Sequence, residues 1–176
     1  YEGAIEPNPS GMLWDSLDEL PNARVVGVYF DGKLVASMRS HRVALGSVSP
    51  GTEIYGDILS PMLEAGEVIS DPTRFVVDHE VSLEHPAITY VAARMGWLLG
   101  DYFQATFGVA TVRREHMAFY RRLLGFEFVA GPRKYPMLAS EIWLVGKAYD
   151  AVRSHISSKY PFMLCSPAEQ LRAFGP

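Results

Sequence analysis

The chain has 176 residues, 48% of them apolar, and a formal charge of −4. That length and apolar content suffice for one domain with a complete core and argue against a long disordered tail. The charge speaks against general nucleic-acid binding, the longest apolar runs stop well short of a membrane span, and the single cysteine, Cys165, excludes an internal disulfide and a cysteine-rich zinc site.

The expectation is therefore one domain over residues 1–176, soluble and cytoplasmic, with no secretory leader and with Cys165 as buried filler. Residues 1–22 carry Pro7, Pro9, Gly11 and Pro21 and read as an irregular arm with one helical turn near Leu13 to Leu20. Asp15 and Asp18, three apart, project from one face of such a turn, which suits an amine or cation but is equally the pattern of an exposed acidic turn. Arg24 to Phe30 and Lys33 to Val43 read as a hairpin, because Asp31-Gly32 supplies the positive φ angles of a two-residue turn.

Residues 44–72 are rich in Gly, Ser and Pro and read as a long excursion with a short helix from Ile58 to Glu64. Thr73 to Asp78 is an apolar strand. Pro86 opens a helix to about Phe107 whose apolar residues recur on one face, and Gly96 and Gly100, one turn apart, let it approach a sheet. Val109 to Val112 is a buried strand, and a helix follows with Met117, Tyr120 and Leu124 at helical spacing and Gly125 as its stop. Phe126 to Ala130 and Glu141 to Gly146 are strands, Asp150 to Lys159 is a terminal helix, and residues 148–176 form a carboxy-terminal appendage. This order predicts an α/β fold: a mixed, mostly antiparallel sheet flanked by helices, with one parallel crossover between Thr73 and Val112.

Ionisable residues cluster where the strand ending at Val112 turns into a helix, a position at which α/β proteins bind ligands. Residues 113–134 hold Arg113, Arg114, Arg121, Arg122, Arg133 and Lys134 against Glu115 and Glu127, a local balance of +4 in an acidic chain. An acidic or phosphate-bearing partner fits there; so does the plainer reading that Arg121 and Arg122 solvate a helix. By contrast, His79, Glu80, Glu84 and His85 lack metal-ligand spacing and read as loop polarity, so no metal is expected.

Asp71-Pro-Thr-Arg-Phe-Val-Val-Asp78, a long helix, and then Ala110-Thr-Val-Arg-Arg-Glu-His-Met-Ala-Phe-Tyr-Arg-Arg-Leu-Leu-Gly-Phe126 resemble the N-acyl amino acid synthases. These are relatives of the acyl-homoserine lactone autoinducer synthases within the GNAT acyltransferase superfamily. The resemblance includes Leu34-Val-Ala-Ser-Met-Arg39 and Gly131-Pro-Arg-Lys-Tyr-Pro136. It implies a GNAT-like fold and transfer of a fatty acyl group from a thioester, on acyl carrier protein or less expectedly on coenzyme A, to a primary amine such as an amino acid's, with no tightly bound cofactor. Asp71 stands where the autoinducer synthases carry glutamate, and Asp15 with Asp18 matches their Asp-Xaa-Xaa-Asp pair. Arg39, Arg74 and Phe75 match directly. Tyr120 matches the superfamily tyrosine, displaced by one residue from Gly125.

The chemistry calls for the same residue types. A protonated amine cannot attack a thioester, so Asp71, Glu115 or His116 must take its proton. Backbone N–H groups of a splayed strand can hold the oxyanion, and Tyr120 can protonate the departing thiolate. Arg39, Arg74 or Arg113 can grip a substrate carboxylate. Each role has a structural competitor: His116 as a helix start, Glu115 in a surface ion pair, and Arg74 as a buttress to Asp71 or Asp78.

Coenzyme A-binding relatives hold the pyrophosphate on a glycine loop at a helix start. Here that stretch is Asp78-His-Glu-Val-Ser-Leu-Glu-His-Pro86, without glycine and with three acids. It points instead to a carrier-protein donor docked on Arg121, Arg122, Arg133 and Lys134. The competing readings are an autoinducer synthase, an acetyltransferase with unusual coenzyme A contacts, and an inert ligand-binding module of the same fold. The Leu-Leu-Gly-Phe helix also resembles one in glyoxalase-type metal enzymes, but their repeated unit and ligand set are missing.

Overall fold

The computed structural model describes residues 14–135, 138 and 140–175. Residues 1–13 of the expected arm, and Pro136 of the loop at 131–136, lie outside the described residues. The first two strands, β1 (Ala23–Phe30) and β2 (Lys33–Val43), pair antiparallel. Asp31 and Gly32 take φ of 48° and 75°, the left-handed pair whose twist matches that of the strands it joins.

Helix α1 (Pro50–Glu64) starts well before the expected Ile58. Ser49 and Thr52 form a reciprocal capping box, and Pro50 sits in the first turn where its missing N–H costs nothing. Gly51, Gly56 and Pro61 disguise this helix in the sequence, and its backbone departs from helical geometry at Tyr55.

Next come β3 (Ile69–Val77), α2 (His79–Glu84), α3 (Ala87–Tyr102) and β4 (Phe107–Val112). α2 replaces an expected loop, while α3 ends short of Phe107 because Gln104 turns left-handed at φ 55°. Gly96 and Gly100 do what their spacing suggests. A Cβ on Gly96 would lie 3.0 Å from Met38 Sδ, and one on Gly100 3.0 Å from Ser70 Oγ, so α3 lies directly on β2 and β3.

The chain continues through α4 (Met117–Leu124), β5 (Glu127–Lys134), β6 (Glu141–Ala148), α5 (Tyr149–Lys159) and α6 (Pro167–Phe174). The six strands run in the order β1-β2-β3-β4-β6-β5, with β3–β4 the parallel pair. Two apolar layers cover the sheet. One joins Val43, Ile69, Val109 and Leu144 to Tyr55 and Leu59 of α1; the other joins Ala110, Val112 and Val145 to α3, α4 and α5. Alternate strand residues thus feed opposite layers, as the pleat dictates. Cys165, expected as buried filler, is instead half-buried at the margin of the second layer.

Candidate active site

β3 and β4 hold each other for two rungs, Ile69 opposite Phe107 and Ser70 opposite Gly108. Beyond Ser70 they part, β3 staying with β2 and β4 with β6. The split opens a cleft of about 230 Å³.

On β3 a bulge marks the cleft wall. Arg39 faces Thr73 and Ser37 faces Val76, so Arg74 and Phe75 together oppose Met38. Arg74 takes φ 52°, a left-handed conformation that costs a non-glycine residue about 1 kcal/mol or more and gathers at functional sites. The bulged stretch of β3 is no longer paired with β4, so backbone groups on that side face the cleft, the arrangement an oxyanion requires. The sequence holds a signal of it: Pro72, a residue tolerated inside sheets at bulges and unpaired edges. The strand expected from Thr73 therefore starts at Ile69, within the Gly-, Ser- and Pro-rich excursion.

Four charged side chains close the polar end. Asp15 caps the 3-10 turn Ser16–Glu19, and Asp18 completes the capping box. Arg39 Nη1 donates to Asp15 Oδ1 at 2.6 Å and to Asp18 Oδ1 at 3.0 Å. Arg74 donates to Asp18 Oδ2 at 3.0 Å and to Asp15 Oδ2. Burial alone would raise the Asp18 carboxyl, but the Asp15 N–H and the guanidiniums of Arg74 and Arg39 hold it below its ordinary value. Arg74 thus binds the carboxylates of Asp15 and Asp18.

Asp15, Arg39, Arg74 and Phe75 line the cleft, and from the β4 side Arg113, His116 and Tyr120 join them. Seven residues read from separate stretches of sequence therefore meet around one space, with Asp18 bonded to three of them. Burial pushes the Tyr120 hydroxyl up to about 12, so it keeps its proton through the neutral range. Tyr120, Phe75 and Pro72 also wall a second, apolar cavity of about 40 Å³ lined by Met38, Gly96, Trp97 and Phe126. The polar cleft and the apolar cavity share that wall.

Other expected residues lie elsewhere. Asp71 does not line the cleft; it is fully buried, accepts the Gly51 N–H at 2.8 Å and stands opposite His41. Burial raises its carboxyl, against the pull of Ser49, the Gly51 N–H, His41 and Arg39. Glu115 is exposed, 4.0 Å from Arg113. Arg121, Arg122 and Lys134 are exposed outside the cleft. Arg133 is committed to α1, gripping Asp57 at 2.6 and 2.8 Å, donating to the Ile54 carbonyl and lying over the Tyr55 ring, so the expected basic edge is divided.

Tyr135, which sequence reasoning missed as a site residue, enters the cleft beside Asp15 and Arg39. Its hydroxyl is raised by burial and by the Glu53 and Asp15 charges, against Arg39 and Arg74. Gly131-Pro132 reads as a loop, yet β5 runs through it to Lys134 with register shifts that absorb the break and deliver Tyr135. Thr73, which accepts from Arg39 Nε at 3.2 Å, carried no signal beyond its neighbours.

Where coenzyme A-binding relatives place a glycine loop stands α2. Its first turn is capped internally, Asp78 Oδ1 accepting the Val81 N–H at 2.9 Å, and Glu80 and Glu84 lie on it. Among the described residues no group of three or more His, Cys, Asp or Glu side chains is placed to hold a metal ion, and no helix is long and apolar enough to cross a membrane.

A mixed sheet parted between its two parallel strands, with a bulged wall and an acid–base mouth, is a GNAT-like acyltransferase fold. The structure of FeeM, an N-acyl amino acid synthase from uncultured soil microbes, superposes with a TM-score of 0.70 at 17% identity, covering 81% of this chain and 77% of that one. BjaI, a coenzyme A-dependent acyl-homoserine lactone synthase, gives 0.59 at 12% identity over 86% and 70%. An acyl-CoA N-acyltransferase from Pseudomonas aeruginosa gives 0.51 at 15% identity over 76% and 74%. These likenesses establish the fold. The family described as N-acyl amino acid synthase FeeM matches residues 1–146, and the chain belongs to it. No curated protein sequence matches the chain.

Proposed function

We propose that the protein transfers a long-chain fatty acyl group from the phosphopantetheine thioester of an acyl carrier protein to the amino group of an amino acid. The observation that carries this reading is the shared wall of Pro72, Phe75 and Tyr120. It sets a charged cleft, fit for a zwitterionic acceptor, against an apolar cavity whose lining suits the first methylenes of an acyl chain. The acceptor's ammonium docks at Asp15, and its carboxylate meets Arg113.

His116 takes the amine proton, directly or through water, and the nitrogen attacks the thioester carbonyl. A C–N bond forms, the carbonyl oxygen gathers charge against the bulged backbone of β3, and the C–S bond breaks as Tyr120 protonates the leaving sulfur, the new nitrogen passing its second surplus proton back to Tyr120 through water. The carrier reading rests on α2: its capped, acidic start is poorly suited to a pyrophosphate, whereas a carrier needs only its pantetheine arm in the cleft. Arg121 and Arg122 on α4 offer cations to the carrier's acidic surface.

The test is an incubation of purified protein with amino acids and acyl carrier protein loaded with short to long chains, read by mass spectrometry. Long-chain N-acyl amino acids are expected. A lactone product would make it an autoinducer synthase, and absence of product from every donor would defeat the proposal.

A further inference from the structure

Successive rungs on one face of the β2–β3 ladder change character: Val43 opposite Ile69, then His41 opposite Asp71, then Arg39 opposite Thr73. The first lies in the apolar layer and the last faces the cleft. The middle rung is polar and completely buried, both residues being 0% exposed, and neither side chain touches the cleft. A buried polar pair is costly unless it holds something.

Each partner reaches out to a different rim. His41 Nε2 lies 3.2 Å from the Leu17 carbonyl, so it carries the proton and donates. Leu17 sits between Asp15 and Asp18, the two acids that bind Arg39 and Arg74. Asp71 Oδ2 accepts from Gly51, at the start of α1 beside Pro50, which lines the cleft. A Cβ on Gly51 would come within 2.7 Å of that same oxygen, so the helix start is seated on Asp71. The remaining polar atoms, His41 Nδ1 and Asp71 Oδ1, are buried without a hydrogen bond, so the two side chains are linked by their shared rung and opposite charge tendencies. Charged groups around the rung are Arg39 on β2 and Asp15 on the turn, with Ser49 ahead of α1.

We infer that His41 and Asp71 are a positioning pair that fixes the acidic turn and the start of α1 as one unit, and so sets the acceptor side of the cleft without touching substrate. This rests on the amino-acid acceptor proposed above for its kinetic readout, but not for its structural one. The amine chemistry makes Asp71 a candidate general base; here it acts through Gly51, from the rung it shares with His41.

Two measurements on His41→Leu, His41→Gln, Asp71→Ala and Asp71→Asn decide it. Hydrogen exchange of the folded protein is expected to speed up at both residues 15–20 and 50–53 in His41→Leu and Asp71→Ala, more than elsewhere. It should be largely restored in His41→Gln, which keeps a donor for Leu17, and in Asp71→Asn, which keeps an acceptor for Gly51. In steady-state kinetics His41→Leu and Asp71→Ala raise acceptor KM by about tenfold or more, with acyl-donor KM within about twofold. Loss of kcat of about 100-fold in Asp71→Asn with unchanged exchange would make Asp71 the base and overturn the inference. Unchanged exchange at both segments in His41→Leu would overturn it as well. If wild-type protein acylates no amino acid, the functional proposal fails while the exchange pattern still decides the positioning pair.

Discussion

Arg39 and His41 stand on adjacent rungs of the same face of β2, both almost fully buried, yet burial treats their surroundings in opposite ways. Around Arg39 two guanidiniums meet two carboxylates, every charge has a counter-charge, and Asp18 is held ionised. Around His41 the charges are not balanced by bonded counter-ions, so burial raises Asp71 and lowers His41, each toward its neutral form. Proximity in the ladder does not decide the role of a polar residue; the match of partners and the side that faces the cleft do.

The largest expected effect comes from breaking the matched set. Arg39→Ala removes one of the two cations that Asp15 and Asp18 share and leaves them to Arg74 alone, so denaturant unfolding should show a loss of about 2–3 kcal/mol, and acyl transfer should be lost. Tyr120→Phe comes next. It should leave stability nearly intact and lower kcat by about 100-fold with little change in either KM, separating a residue at the reacting atoms from one that holds them. Charge reversal of Arg121 and Arg122 should raise KM for the acyl carrier by roughly tenfold, an effect that shrinks as salt rises.

The pH response gives a finer contrast. Asp18 has a lowered value, so its stabilisation is complete above the ordinary carboxylate value of 3.8 and is lost as pH falls through the depressed one. Asp71 has a raised value, so its contribution is present below 3.8 and is lost as pH rises through the raised one. Unfolding measured across pH should therefore show Asp18→Asn flattening the acid limb and Asp71→Asn flattening a limb of opposite slope. The smallest effect is expected from Arg133→Ala. Its pair with Asp57 lies on the surface, and both KM values should stay within twofold of wild type.

The same distinction explains what the sequence disclosed. The six strands, the parallel crossover and the α3 glycines are written in local patterns: a turn that needs positive φ, a proline at a helix start, small residues one turn apart. α1 and the far end of β5 were obscured because glycine and proline sit inside them, tolerated at the capped helix start, the kink and the register shifts. Most of the residues around the cleft could be named from separate motifs, since acids and arginines at set spacings point to amine and carboxylate chemistry. Which arginine binds which acid could not be read, nor that Asp71 lies behind the cleft and Arg133 on α1. Those facts depend on the register of β2 against β3 and on the packing of α1.

The proposed function turns on a preference of this cleft for a long acyl chain presented by a carrier. Its most direct test is a competition between long-chain acyl carrier protein and acetyl coenzyme A for the same amino acid, followed by initial rates of each amide. The long-chain N-acyl amino acid should dominate, with kcat/KM for the carrier donor at least about tenfold higher and dependent on Arg121 and Arg122. Equal or faster acetylation from coenzyme A would contradict it.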